Sequence, residues 1–494
     1  LSGLRQRDVA NTGCIDLAGC SAQPPSSSTW IGILQALLAK QASREVAPML
    51  LGVSLGLEAL DNASPRLAGA TRAGLFRMLQ SEYTKVRSRH LDLDEADDQA
   101  TQVEQILAEW TSRDPHVEVC YRKGRRHAAG LREAALPEST PPLSFAQDHV
   151  LWITGGTRGI GLRCAEHFVA HHGVRKLVLS GRDAVPPREQ WAGILAEGRS
   201  PAAAKIEAIQ RLEAQGVQVE TLALPLSDSQ AMQSALRQVT ARLGRIGGVL
   251  HCAGLNDWDN PAFVRKPMSE FDKVLEPKVA GLDVLLDVLR SEPVQFIALF
   301  SSVSSVIPSL GVGQSSYVMA NAYMDYAAQA HAARCPIVSI QWPSWKEAGM
   351  GEATTKSYRQ TGLLSHGNEE GLQLLDRVLA NRLGPVVLPA VVDRTILKPD
   401  RLMHLSLEER APAEPVTARA PLAAATTVSV SSAATPLHTA VPGQLLSAAQ
   451  AWLATLFGTE LMVAPESLDA DTPFQDYGVD SIMLTQLLRR VDDA

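Results

Sequence analysis

One turn narrows the possible folds more than any other feature of the chain. Residues 150–154, Val-Leu-Trp-Ile-Thr, form an uninterrupted apolar run that passes directly into Gly155-Gly156-Thr157-Arg158-Gly159-Ile160-Gly161. Apolar residues then recur at helical spacing. Glycines between a strand and a helix permit a tight turn. They also bring backbone N–H groups close to a bound phosphate at the positive end of the helix. Further apolar strands are expected at 176–180, 217–224, 248–251, 295–300, 336–341 and 385–388, with helical segments between them. Near-continuous apolar strands alternating with helices predict a parallel sheet covered on both faces. The expectation is therefore a doubly wound, Rossmann-like α/β subdomain over residues 146–410.

The flanks differ in character. Residues 1–145 alternate helix and strand without a glycine-rich nucleotide turn. Helices are expected at 30–38, 73–80 and 102–110, and strands at 49–55, 90–93 and 117–121. Residues 411–440 are rich in Ala, Pro, Thr and Ser without periodicity and read as a flexible linker. A helical segment begins near Gln444, within a last region spanning 441–494. Net charge of −7 and a pI near 6.0 argue against a general nucleic-acid binder. No apolar run approaches the roughly 18 residues a membrane span needs, and no secretory signal opens the chain. Cys14, Cys20, Cys120, Cys164, Cys252 and Cys335 fit neither a zinc site nor a disulfide framework, as expected of a cytoplasmic protein without metal.

The second strand ends Ser180-Gly181-Arg182. A cation there can meet the 2′-phosphate of NADPH where NAD enzymes place an acid, and Arg158 adds a second. The fourth strand ends His251-Cys252-Ala253-Gly254. Three further stretches carry candidate chemistry: Lys278 in a long helical segment, Ser301-Ser302-Val303-Ser304 ending the fifth strand, and Tyr317 with Asn321 one helical turn apart. Reducing a carbonyl with hydride requires a proton donor and stabilisation of the developing alkoxide. A free tyrosine, with pKa near 10, needs a neighbouring ammonium to favour its phenolate.

These residues resemble the short-chain dehydrogenase/reductase superfamily. Within it they resemble the ketoreductases of modular type I polyketide synthases, because Asn321 occupies the place where most such reductases carry lysine and Lys278 lies far upstream. The resemblance implies NADPH at Thr154 to Gly161 (including Gly155, Gly156, Thr157, Arg158, Gly159 and Ile160), Ser180 to Arg182, His251, Ala253 and Gly254. It implies Tyr317 as proton donor, Lys278 as tuning cation, Asn321 as its support, and a serine that orients the carbonyl. Ser302 is preferred; Ser304 is the alternative, since it stands thirteen residues before Tyr317 and Ser302 fifteen. Pro225 sits where such reductases often carry an adenine-contacting Asp, which implies weaker adenine affinity or a different role for Asp228. The loop 255–260 lacks the Leu-Asp-Asp that marks one alcohol stereochemistry, and Gln341 to Gly351 should begin a lid.

Residues 1–145 resemble the structural subdomain of these ketoreductases, a degenerate Rossmann-like copy expected to lack its beginning. Residues 471–482, D-T-P-F-Q-D-Y-G-V-D-S-I, resemble the start of a helical acyl carrier protein, expected to be partial, with Ser481 carrying 4′-phosphopantetheine. The implied substrate is a β-ketoacyl chain on an acyl carrier protein, and the implied partners are other domains of a bacterial, antibiotic-type megasynthase using separate acyltransferases. Two rivals are a non-reducing scaffold and a free-standing reductase of small metabolites.

Overall fold

The computed structural model describes residues 13–21, 27–39, 48–134, 141–198, 200–255, 262–404 and 450–457. The linker, Ser481 and the stereochemical loop at 256–260 lie outside them. The chain divides into two units, Leu1–Ser406 and Leu407–Ala494. Of the second, residues 450–457 are described and are helical.

The first half of the larger unit runs β1 (Gly13–Gly19), α1 (Ser27–Leu38), β2 (Met49–Leu55), α2 (Ala70–Glu82), β3 (Arg87–Leu93), α3 (Gln99–Thr111), β4 (Glu118–Arg122) and β5 (Arg125–Ala128). The five strands lie in sequence order, parallel except for the β4–β5 hairpin. This order never reverses, so the sheet has no switch point of the kind at which open α/β sheets bind ligands. β1 and β5 were not expected. β1 combines isolated apolar residues with glycines at both ends, and β5 (Arg-Arg-His-Ala) is polar, so neither carries a hydrophobic period.

The second half runs β6 (Val150–Thr154), α4 (Gly159–His171), β7 (Lys176–Gly181), α5 (Trp191–Ala196), α6 (Pro201–Glu213), β8 (Gln218–Ala223), α7 (Ser229–Arg242), β9 (Ile246–His251), α8 (Met268–Lys278), α9 (Ala280–Val288), β10 (Phe296–Ser302), α10 (Ser315–His331), β11 (Ile337–Trp342), α11 (Lys356–Gln360), β12 (Leu363–Leu364), α12 (Asn368–Asn381), β13 (Val386–Val387) and β14 (Val391–Val392). Seven parallel strands form one sheet in the order β13-β11-β10-β9-β6-β7-β8. The order reverses between β6 and β9, so a crevice opens beyond their carboxyl ends. β6, β9, β10 and β11 are buried along their whole length, as their apolar runs predict. The expected doubly wound fold is the one observed.

α2 joins the two halves. Every residue of it except Thr71 is buried. It lies against α10, and a Cβ on Gly74 would come within 2.6 Å of Ala322 Cβ. Only a residue without a side chain lets these two helices approach so closely.

Candidate active site

At the switch point, β6 pairs through Thr154 with Ser180 on one side and His251 on the other. The turn that follows depends on glycine. Gly155 has φ +68° and Gly159 φ +54°, and a Cβ on Gly161 would lie 2.6 Å from the Gly155 carbonyl oxygen. The chain thus folds over itself and α4 begins with its first amides free of helical partners. Beyond lies a cavity of about 780 Å3. Its walls include Gly155, Thr157 to Gly161, Ser180 to Arg182, Ala253, Gly254, Lys278, Ser302 and Tyr317.

Three expected cofactor residues stand behind this wall. Thr154, Gly156 and His251 are buried and do not line the cavity. Thr154 Oγ1 lies 2.8 Å from His251 Nδ1 and accepts the Ala253 N–H at 3.3 Å, so the pair shapes the wall from within. Burial, reinforced by Lys278, pushes the His251 imidazole down to about 3 and keeps it neutral. A Cβ on Gly156 would strike the Ile153 carbonyl oxygen at 2.7 Å, so its glycine serves packing.

Sequence reasoning missed two cations in the wall, Lys205 and Lys273. Lys205 arrives from α6 and lies 3.7 Å from Asp183; no motif links it to the glycine turn. Pro225 lines the cavity between Leu224 and Leu226, while Asp228 caps α7 by accepting the Ala231 N–H at 2.9 Å. Asp228 is not among the residues that line the cavity. The stretch after β11 contributes Trp342 to Trp345 and Ala348 to Met350. A Cβ on Gly159 would lie 3.5 Å from the Ala348 carbonyl, so this loop does sit over the glycine turn.

The four polar residues of the candidate chemistry converge. The helical segment expected to carry Lys278 is broken: α8 contains Pro277 and ends at Lys278, and Val279 leaves helical geometry at φ −109°, ψ −84°. Pro277 has no N–H to give the helix, which favours a break there. The Lys278 side chain passes over Gly254, where a Cβ would meet its Cε at 2.4 Å. Its Nζ donates to Phe300 O at 2.8 Å and to Asn321 Oδ1 at 2.7 Å, and lies 5.3 Å from the centre of the Tyr317 ring. Asn321 Nδ2 donates back to the Tyr317 carbonyl at 2.9 Å.

Ser302 and Ser304 are distinguished by position. Ser302 ends β10 and lines the cavity. Ser304 lies behind it in a 3-10 turn, donating its hydroxyl to Ser302 Oγ at 3.1 Å and its N–H to the same oxygen at 3.3 Å. Two short 3-10 turns, Val303–Ser305 and Pro308–Leu310, account for the longer separation from Tyr317. Asp325 braces the turn, accepting from Ser305 Oγ at 2.7 Å, Ser339 Oγ at 2.6 Å and Gln341 Nε2 at 2.8 Å.

The electrostatics differ from the expectation that an ammonium lowers the tyrosine. Burial pushes the Tyr317 phenol up, opposed by hydrogen bonds with Asn321 and Ser302. Burial also pushes the Lys278 ammonium down to about 7, against a weaker pull from Cys252 and Asp325. Desolvation outweighs these opposing contacts at both groups, and the phenol keeps its proton.

A dinucleotide fits this cavity. The glycine cradle and free α4 amides suit a pyrophosphate, and Arg158, Arg182 and Lys205 supply positive charge at the β7 side. Fold and site together define a Rossmann-type carbonyl reductase with a Tyr–Lys–Ser–Asn constellation. Residues 150–347 match the KR domain family, and residues 451–494 match the phosphopantetheine attachment site family. The chain thus carries a KR domain followed by phosphopantetheine attachment-site sequence. It is 46% identical over 482 residues to polyketide synthase PksL of Bacillus subtilis, covering 97% of this chain and 10% of that protein. It is 38% identical over 205 residues to 6-methylsalicylic acid synthase of Aspergillus terreus, covering 41% and 11%. The chain thus spans about a tenth of the length of these curated relatives. Among solved structures, the first ketoreductase of the tylosin PKS superposes with TM-score 0.65 at 23% identity, covering 80% of each chain. A ketoreductase domain from the bacillaene assembly line gives 0.61 at 22%, covering 75% of this chain and 83% of that one.

Proposed function

We propose that this chain reduces a β-ketoacyl thioester, held on an acyl carrier protein, to the β-hydroxyacyl thioester with NADPH during polyketide chain extension. The observation that carries this reading is that Tyr317, Ser302 and Lys278 line one cavity with the glycine turn, while Asn321 holds Lys278 from behind. NADPH, when bound, supplies the hydride. Arg182, with Arg158 as a second cation, would hold its 2′-phosphate.

Tyr317 donates its proton to the substrate carbonyl oxygen as negative charge develops there. Ser302 donates a second hydrogen bond to that oxygen, its own lone pair already engaged by Ser304. The Lys278 ammonium, fixed by Asn321 and Phe300 O, stabilises the phenolate left on Tyr317 and returns a proton to it. Ser481 carries the phosphopantetheine arm, and the partners are the carrier and neighbouring domains of a bacterial synthase with separate acyltransferases. Six unpaired cysteines support a cytoplasmic setting.

The test is NADPH consumption with a β-ketoacyl thioester of pantetheine. Tyr317→Phe is expected to lose roughly 100-fold or more in kcat while still binding NADPH. Turnover by Tyr317→Phe equal to the native chain's would overturn the assignment. Absence of native turnover despite bound NADPH would favour a non-reducing scaffold.

A further inference from the structure

Away from the cavity, the C-terminal end of α4 meets α12 at a cluster of imidazoles. His167 Nε2 lies 2.9 Å from Asp376 Oδ2, and His172 Nε2 lies 2.8 Å from Asp376 Oδ1. The three ligand atoms lie within 4.8 Å of one another. The two histidine side chains are 9% and 10% exposed and the aspartate 26%, so the cluster is half-sheltered yet open on one side. His171 follows His167 by one helical turn, and their ring centres are 4.7 Å apart.

We propose that His167, His172 and Asp376 bind one divalent transition-metal cation of the zinc class. The imidazoles would ligate through Nε2 and Asp376 through its carboxylate, with water at the open side. Two nitrogens and one oxygen without thiolate suit Zn2+ or Co2+ better than the all-oxygen preference of Ca2+ or Mg2+. Ligands at about 2.0 Å from a tetrahedral metal lie roughly 3.3 Å apart. Each imidazole nitrogen already lies closer than that to an Asp376 oxygen, and all three donors lie within 4.8 Å of one another, so a small adjustment of the cluster admits the ion. Both imidazoles then carry their proton on Nδ1 and offer the Nε2 lone pair to the metal.

The sequence separation explains why the site escapes a motif search. His167 and His172 lie close together, but Asp376 comes from a helix more than two hundred residues later. Packing holds the rings in place: Phe168 lies 4.9 Å from His172, centre to centre, and His167 lies 5.4 Å from His172. The other such cluster among the described residues, Glu58, His90 and Glu118, is more deeply buried and bonded to Tyr326, Ser54 and Arg77. Its donor atoms are already engaged by those partners. At the proposed site a cation would fasten α12 to α4, the helix that begins at the glycine turn. The proposal stands apart from the reductase reading and does not depend on it.

The test is calorimetric titration of the chelator-treated full chain with Zn2+, alongside His167→Gln and His172→Gln. One-to-one binding is expected, weakened by more than about tenfold in each variant, with a Zn2+-dependent rise in melting temperature in the native chain alone. Each glutamine keeps an amide donor toward Asp376, so metal-free melting temperatures close to native show that the variants are folded. X-ray absorption of the zinc complex should show nitrogen and oxygen neighbours. Absence of stoichiometric binding, binding undiminished in both variants, or sulfur in the coordination shell would overturn the proposal.

Discussion

At the residue scale, the site depends on where Lys278 is held and on what burial does to it. The amine has two fixed acceptors, Phe300 O and Asn321 Oδ1, and titrates near 7 because burial disfavours its charge. Only the ammonium can stabilise a phenolate on Tyr317. The charged form exists below its pKa and is lost as pH rises through it. The kcat/KM for reduction is therefore expected to fall as pH rises through about 7, and Lys278→Met should lack that limb. A native profile flat across neutral pH would contradict the assignment. Gly254 offers a second probe of the same atom. A Cβ there would overlap Lys278 Cε at 2.4 Å, and the amine would have to leave its two acceptors. Gly254→Ala should therefore lower kcat by roughly tenfold or more without unfolding the chain, as steady-state kinetics and circular dichroism would show. Unchanged kcat would mean that the lysine tolerates displacement.

At the element scale, the strand-end serines are held from the other half of the fold. Arg77 on α2 bonds to the Ser305 carbonyl, to Glu118 Oε1 at 2.7 Å and to the Tyr326 hydroxyl at 3.3 Å. Tyr326 in turn bonds to Glu58 at 2.8 Å and to Glu118. Burial pushes the Glu58 carboxyl up to about 8. Burial acts the same way on Glu118, but Arg77 and His90 overcome it and hold that carboxylate below its usual range. Arg77→Met would leave the buried Glu118 without its guanidinium partner, with only Tyr326 and His90 beside it, and a loss of about 3–5 kcal/mol in denaturant unfolding is expected. A loss below about 1 kcal/mol would show that the pair is dispensable. None of this network was legible in the sequence, because it joins residues from six separated segments and no spacing rule connects them. What was legible has a local cause. The apolar runs of β6, β9, β10 and β11 set the sheet, and the glycine turn and the Tyr317–Asn321 spacing each lie within one short segment. The choice between Ser302 and Ser304 needed the 3-10 turns, and Thr154 and His251 needed the third dimension to show that they lie behind the wall.

At the scale of the whole molecule, the two halves share a boundary that neither can complete alone. α10 carries Tyr317 at the cavity with Asn321 behind it and receives α2 on another face, with Gly74 against Ala322 and the Val318 carbonyl. Glu82 at the end of α2 accepts the N–H of Phe263 at 2.7 Å and of Gly313 at 3.2 Å, reaching both the segment before α8 and the loop that leads into α10. The half without a cofactor turn thus supplies one wall of the catalytic helix and buried partners for the loops around it. Removing it would expose buried apolar faces of α10 and leave several polar groups unsatisfied. The two halves should therefore melt together, and calorimetry of the unit up to residue 406 should record one cooperative transition. Gly74→Leu tests the coupling directly. A leucine cannot fit where a single Cβ already comes within 2.6 Å of Ala322, so α2 and α10 must separate. If the halves are one cooperative body, the whole transition moves to lower temperature and reductase activity falls with it. If they are independent, the variant shows two transitions, and the half bearing Tyr317 keeps its native melting temperature.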